Sequence, residues 1–78
     1  MDAFGDIQKI ISANLNVPVA TVHPNSKSSD FAEWDSVNHL VLVMEIEEKF
    51  QFKFPLTEIA QLDSVDKIVS AVEKRAKA

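Results

Sequence analysis

The stretch W-D-S-V-N-H-L-V-L-V-M-E-I-E-E-K-F, residues 34–50, decides how the rest of the chain is read. At about 100° per residue, His39, Leu42, Val43, Ile46 and Phe50 fall within roughly a third of a helical circumference and predict one core-facing arc. Asp35 is a residue type that caps helices, and Ser36 stands where this helix, predicted over about 36–50, begins. Val37, Val41, Met44 and Glu48 lie on a different arc at i, i+4, i+7 and i+11, while Asn38, Glu45 and Lys49 supply the polar remainder. A helix with two apolar stripes either sits deep in a bundle or offers one stripe to a partner. In a chain of 78 residues few helices can be covered all round. Val37, Val41 and Met44, rimmed by Glu47 and Glu48, are therefore expected to form a docking surface with an apolar centre and a charged edge.

Upstream, Phe4, Ile7, Ile11 and Leu15 recur at i, i+3, i+7 and i+11 with Ile10 beside them, which predicts a first helix over about 2–15. Asp2 is its expected cap, and Gly5 weakens its first turn. Residues 16–35 hold two prolines and the polar run N-S-K-S-S-D, and read as a long loop. A loop of that length in so small a domain needs its own anchors, for which Val17, Val22, Phe31 and Trp34 are the candidates. Downstream, residues 52–55 break the helical pattern and residues 57–62 predict a short third helix. The last helix, about 64–76, carries the stripe Val65, Ile68, Val69 and Val72 and ends in a tail, Lys74 to Lys77, expected to be solvated. The expectation is one all-α domain over residues 1–78, a small four-helix bundle with a long first loop and a short third helix.

Composition narrows the function. The chain has no cysteine, so disulfides, thiolate metal sites and a protein thiol nucleophile are excluded. Its two histidines, His23 and His39, are isolated and lack the carboxylate spacing of a metal site. His39 is expected to be half-buried and satisfied by a loop carbonyl. With no partner nucleophile or second catalytic group, no enzyme activity and no catalytic residue is expected. The net charge of −4 is unevenly placed: residues 30–63 carry eight acids against two lysines, while the flanks are neutral or basic. An acidic middle argues against nucleic acid and favours either a partner with a basic surface or ordinary solvation. No apolar run is long enough to span a bilayer and no signal peptide is evident, so a cytoplasmic, monomeric protein without membrane insertion is expected.

The tripeptide Asp-Ser-Val occurs twice, at residues 35–37 and again at 63–65, so it is uninformative by itself. A phosphate attached to a side chain at a helix start is favourably placed against unpaired N–H groups, but serines there are more often caps. What distinguishes the two is the helix that follows. Ser36 opens an acidic helix with a second apolar stripe. Ser64 opens a helix with a basic tail and reads as a cap, with Asp66 favourably near the helix dipole.

Asp35-Ser36-Val37, followed by Leu40 to Met44 and then Ile46-Glu47-Glu48-Lys49-Phe50, resembles the attachment motif of the acyl carrier protein family. The resemblance extends over most of the chain, to Ile7, Ile10, Ile11 and Leu15 in the first helix, Phe54-Pro55 before the third, and Val65, Ile68, Val69 and Val72 in the last. It implies that Ser36 carries 4′-phosphopantetheine, transferred from coenzyme A by a separate phosphopantetheinyl transferase. It further implies acyl or aminoacyl cargo held as a thioester. Its partners would be a loading ligase or transferase and downstream biosynthetic enzymes, whose basic patches meet Asp35, Glu47 and Glu48. The chain departs from fatty-acid carriers in having Glu33-Trp34 before the motif, Asn38 two places after the serine, and Val41 where an acid is usual. Those departures make the docking face more apolar and point to a dedicated carrier in a specialised pathway. Trp34 either packs the loop against the core or shields the arm. The competing reading is a non-catalytic helical adaptor that binds a protein through Val37, Val41 and Met44 without any modification.

Overall fold

The computed structural model describes residues 3–76. Four helices form, α1 Phe4–Leu15, α2 Ser36–Phe50, α3 Leu56–Ile59 and α4 Val65–Ala76, and the described residues contain no strand. The expected cap Asp2 lies outside the described residues. The apolar stripes meet in one core: Ile7, Ile11 and Leu15 of α1, Leu42, Val43 and Ile46 of α2, and Val65, Ile68 and Val72 of α4 are buried together. α1 lies against both α2 and α4. Two helix ends close through residues in the left-handed region, Asn16 at φ 56° and Gln51 at φ 61°, each returning its N–H to a carbonyl in the preceding turn.

The long first loop is shaped by short turns and fastened at several points. Residues Val19–Thr21 and Ser28–Asp30 form 3-10 turns. The Gln8 side chain of α1 donates to the carbonyls of Val19 and Val22 at 3.0 and 2.9 Å. Val22 and Trp34 are buried in the core, and Val17 and Phe31 pack against it. Further on, Lys27 pairs with Ser64 in an isolated antiparallel bridge, in which Ser28 N–H donates to Asp63 O and Val65 N–H donates to Ser26 O. The loop thereby lies against the start of α4, and its backbone groups are satisfied there.

Three features differ from the sequence-based expectation. α3 begins at Leu56, directly after Pro55, and its helical geometry ends at Ile59. Residues 60–62 continue as tighter turns, with Gln61 N–H to Glu58 O and Leu62 N–H to Ile59 O, because buried Leu62 pulls the chain inward. In the tail, Arg75 is not simply solvated. Its guanidinium makes two bonds to the Glu58 carboxylate, at 2.9 and 2.5 Å, and lies 4.9 Å from the Phe54 ring centroid and 5.8 Å from that of Phe52. The planar fork of arginine suits both contacts at once and clamps α3 to the last turn of α4.

The third difference concerns Glu47, expected on the rim of the docking stripe. It is 9% exposed, and its Oε2 accepts the Phe54 N–H at 2.7 Å. The turn at Gln51 folds residues 52–54 back across α2, and Glu47 supplies the acceptor their backbone needs. It is a structural carboxylate, far less exposed than expected of a rim residue although it still lines the groove that holds Val41, Met44 and Glu48. Glu47→Ala strands that buried N–H and is expected to cost about 1–3 kcal/mol in urea unfolding. A change below half a kilocalorie would show that water replaces it.

Candidate functional site

The start of α2 is built by the residues that precede it. Asp35 Oδ1 accepts the Asn38 N–H at 2.8 Å, and Asp35 O accepts the His39 N–H at 2.8 Å. The Asn38 side chain reaches back to donate to Glu33 O at 2.7 Å and fixes the lead-in. Because Asp35 is the cap, the Ser36 hydroxyl has no capping duty; it stands exposed on the first turn. The N–H groups of that turn have no acceptor within the helix and give the end a partial positive charge.

Beside Ser36 lies an open cleft of about 490 Å³ between α2 and α3. Leu40 of α2 and Leu56 of α3 line it while remaining 53% and 83% exposed, and Ile59 and Ala60 continue the α3 wall. Asp35, Ser36 and Asp63 line it as well. The Lys67 ammonium, bonded to Asp63 Oδ1 at 2.9 Å, holds the Asp63 carboxyl below the usual carboxylate range.

Trp34 and His39 also line the cleft. Trp34 is 7% exposed and belongs to the core, which makes it a packing residue. Its indole Nε1–H donates to His39 Nδ1 at 2.9 Å, and the two rings lie 26° from parallel with centroids 6.1 Å apart. An indole N–H can only donate, so His39 Nδ1 must accept, and the ring proton sits on Nε2. From there it donates to Ile59 O at 2.8 Å. Both ring nitrogens of His39 are engaged, in keeping with a half-buried histidine satisfied by a backbone carbonyl and against an acid or base role.

Along the helix, Val37 and Met44 are 70% and 65% exposed, and Val41 and Glu48 are exposed with them. The second stripe is thus left exposed by the other described residues. The other Asp-Ser-Val differs in detail. Ser64 is half-buried, and its Oγ accepts the Lys67 N–H at 3.2 Å, so its hydroxyl is the cap of α4. Among the described residues no group of three or more His, Cys, Asp or Glu side chains could hold a metal ion, and no helix is long and apolar enough to cross a membrane.

The sequence reading missed two features of this region. Leu40 and Leu56 face each other across the cleft uncovered, a pairing that depends on where α3 docks. Glu47 stood four residues after Val43 and three before Phe50, and that spacing alone placed it beside the core arc.

The family described as "Phosphopantetheine attachment site" matches residues 5–72. The chain belongs to this carrier family. It is 34% identical over 77 residues to an acyl carrier protein of Campylobacter curvus, covering 99% of this chain and all of the relative. To the acyl carrier protein of Campylobacter concisus it is 32% identical with the same coverage. To that of Helicobacter pylori strain J99 it is 33% identical over 73 residues, 94% of each chain. Acyl carrier proteins are carriers and not catalysts, and membership implies a covalently held 4′-phosphopantetheine. The residues at the start of α2 fit such a group in chemistry: an exposed hydroxyl, a helix N-terminus whose dipole favours a phosphodiester, and an apolar cleft alongside.

Proposed function

We propose that Ser36 is the attachment point of 4′-phosphopantetheine and that this acyl carrier protein presents acyl or aminoacyl groups to partner enzymes that dock on α2. The observation that carries the reading is the division of labour at the start of α2: Asp35 caps the helix, which leaves the Ser36 hydroxyl exposed beside the apolar cleft. When bound, the group supplies the thiol that the cysteine-free chain lacks. The protein's own residues orient and expose it. The helix N-terminus offsets the phosphodiester charge, and Asp35 holds the first turn in place.

The uncovered stripe of Val37, Val41 and Met44, with Glu48 at its edge, is the docking face for a phosphopantetheinyl transferase, a loading ligase or transferase, and downstream biosynthetic enzymes. Asp35 adds charge at the serine end, and Glu47, largely buried against Phe54, contributes less than Glu48. The stripe is more apolar than the acidic helix of general fatty-acid carriers, with Val41 where an acid is usual. That difference supports a dedicated carrier of a specialised pathway. An unmodified adaptor would use the same stripe, but it leaves the free serine and the adjoining cleft without a role.

Coexpression with a broadly accepting phosphopantetheinyl transferase, followed by intact-mass measurement, tests the reading. The expected result is a gain of one phosphopantetheinyl group per chain. No gain with several transferases would overturn it. Met44→Glu, on the exposed stripe, is expected to slow the modification roughly tenfold by disturbing docking, with the unfolding midpoint unchanged. A modification rate equal to wild type would remove Met44 from the docking face.

A further inference from the structure

The cleft beside Ser36 has a floor, and the floor is tied shut. Trp34 rises from the end of the long loop and His39 from the second turn of α2, and Ile59 O is offered by the end of α3. The bonds Trp34 Nε1–H to His39 Nδ1 and His39 Nε2–H to Ile59 O link three separate segments through one imidazole ring. The near-parallel rings of Trp34 and His39, and the 6.3 Å approach of Phe31 to Trp34, pack the same layer. Trp34 belongs to the same core as Leu42, Val43, Ile46 and Ile68, which are fully buried. Leu40 and Leu56 stand uncovered at the rim of the cleft.

Rim and core have different consequences for a group tethered at Ser36. The rim offers apolar surface that a short acyl chain can cover without moving any protein atom. Going deeper requires displacing Trp34 or parting His39 from Ile59 O, which leaves buried polar atoms without partners; among the described residues no buried side-chain nitrogen or oxygen lacks one now. Each further methylene of a long chain would gain apolar burial only after that layer opened.

We propose that the Trp34–His39–Ile59 tie is a length-determining floor, and that this carrier is suited to short acyl groups held at the surface cleft and not to long chains drawn into the bundle. The proposal rests on attachment at Ser36. Trp34 and His39 are specificity-determining residues, acting by exclusion and without chemistry of their own.

The test uses protein loaded at Ser36 with acetyl, butyryl, octanoyl or palmitoyl pantetheine by a promiscuous transferase, each species verified by intact mass. Failure to load at all therefore tells against the Ser36 reading and is seen before the cleft is tested. Two quantities are read, the thermal midpoint and the indole N–H resonance of Trp34, the chain's single tryptophan. Butyryl loading is expected to raise the midpoint by roughly 4–8 °C over the acetyl form. Octanoyl and palmitoyl loading are expected to add nothing further, with the Trp34 resonance retaining its position and slow solvent exchange.

A midpoint that keeps rising with chain length while the Trp34 resonance moves would overturn the proposal. So would an absence of any response to butyryl loading. In Trp34→Phe the ring volume is largely kept and the Trp34–His39 bond of the tie is lost. The octanoyl form of that variant is expected to be more stable than its butyryl form; a plateau like that of the wild type would show that the tie does not set the limit.

Discussion

Ser36→Ala is expected to remove the transferase-dependent mass gain completely and to leave the unfolding free energy within about 0.5 kcal/mol of wild type, because the residue is exposed on the first turn of a helix. Asp35 makes the cap through its own carboxylate, so loss of the neighbouring hydroxyl costs the helix nothing specific. Alanine is also a good helix former, so no backbone penalty opposes it. Ser64→Ala provides the opposite result. Its hydroxyl accepts the Lys67 N–H, so its removal is expected to lower stability by about 1 kcal/mol while modification proceeds as before. Intact mass and urea unfolding of the two variants together separate two serines whose sequence neighbours are identical. A full mass gain in Ser36→Ala would place the attachment elsewhere.

Trp34→Ala is the substitution with the largest expected cost in stability. The indole is buried, in ring contact with His39 and Phe31, and hydrogen-bonded to His39 Nδ1. Deleting a buried large aromatic side chain costs about 3–5 kcal/mol through lost burial and the cavity left behind. A chain of 78 residues has a total stability on the order of 4–12 kcal/mol. The variant is therefore expected to lose a large share of its folding free energy and to populate unfolded protein at modest urea concentrations. Trp34→Phe retains most of the bulk but leaves His39 Nδ1 without its donor, and an intermediate loss of about 1–3 kcal/mol follows. A loss below about 1 kcal/mol in Trp34→Ala would mean that the ring only covers the cleft and does not support the fold.

Much of this architecture was legible because apolar spacing and burial are the same fact seen twice. Ile7, Ile11 and Leu15 recur at helical intervals, and each is buried. The stripe Val37, Val41 and Met44 was equally legible as a second face, but whether it was extra core or open surface depended on what packs there. Among the described residues none covers it. Contacts between segments distant in sequence were less accessible. Glu58 and Arg75 are seventeen residues apart, and His39 and Ile59 twenty. No local pattern marks such pairs, because their partners are set by how α3 docks.

Glu47 shows a different limit. Its charge invited a surface reading although its spacing placed it near the core, and a buried carboxylate is tolerated there because the Phe54 N–H needs an acceptor. At the site, Ser36 stood out through the helix that follows it, whereas the cleft beside it did not. Leu40 and Leu56 become neighbours only after α3 folds onto α2, and a hydrophobic residue in a short segment carries no signal that it will remain uncovered.

The central claim, that the phosphopantetheine group is carried on Ser36, is tested most directly by locating the group in the modified protein. Proteolytic digestion and fragment-ion sequencing of the transferase-treated chain assign the added mass to a single residue. The account predicts that all of it resides on Ser36, with the Ser64 peptide unmodified. Added mass on Ser64 or any other residue, or a Ser36 peptide that stays bare while the intact protein gains mass, would contradict it.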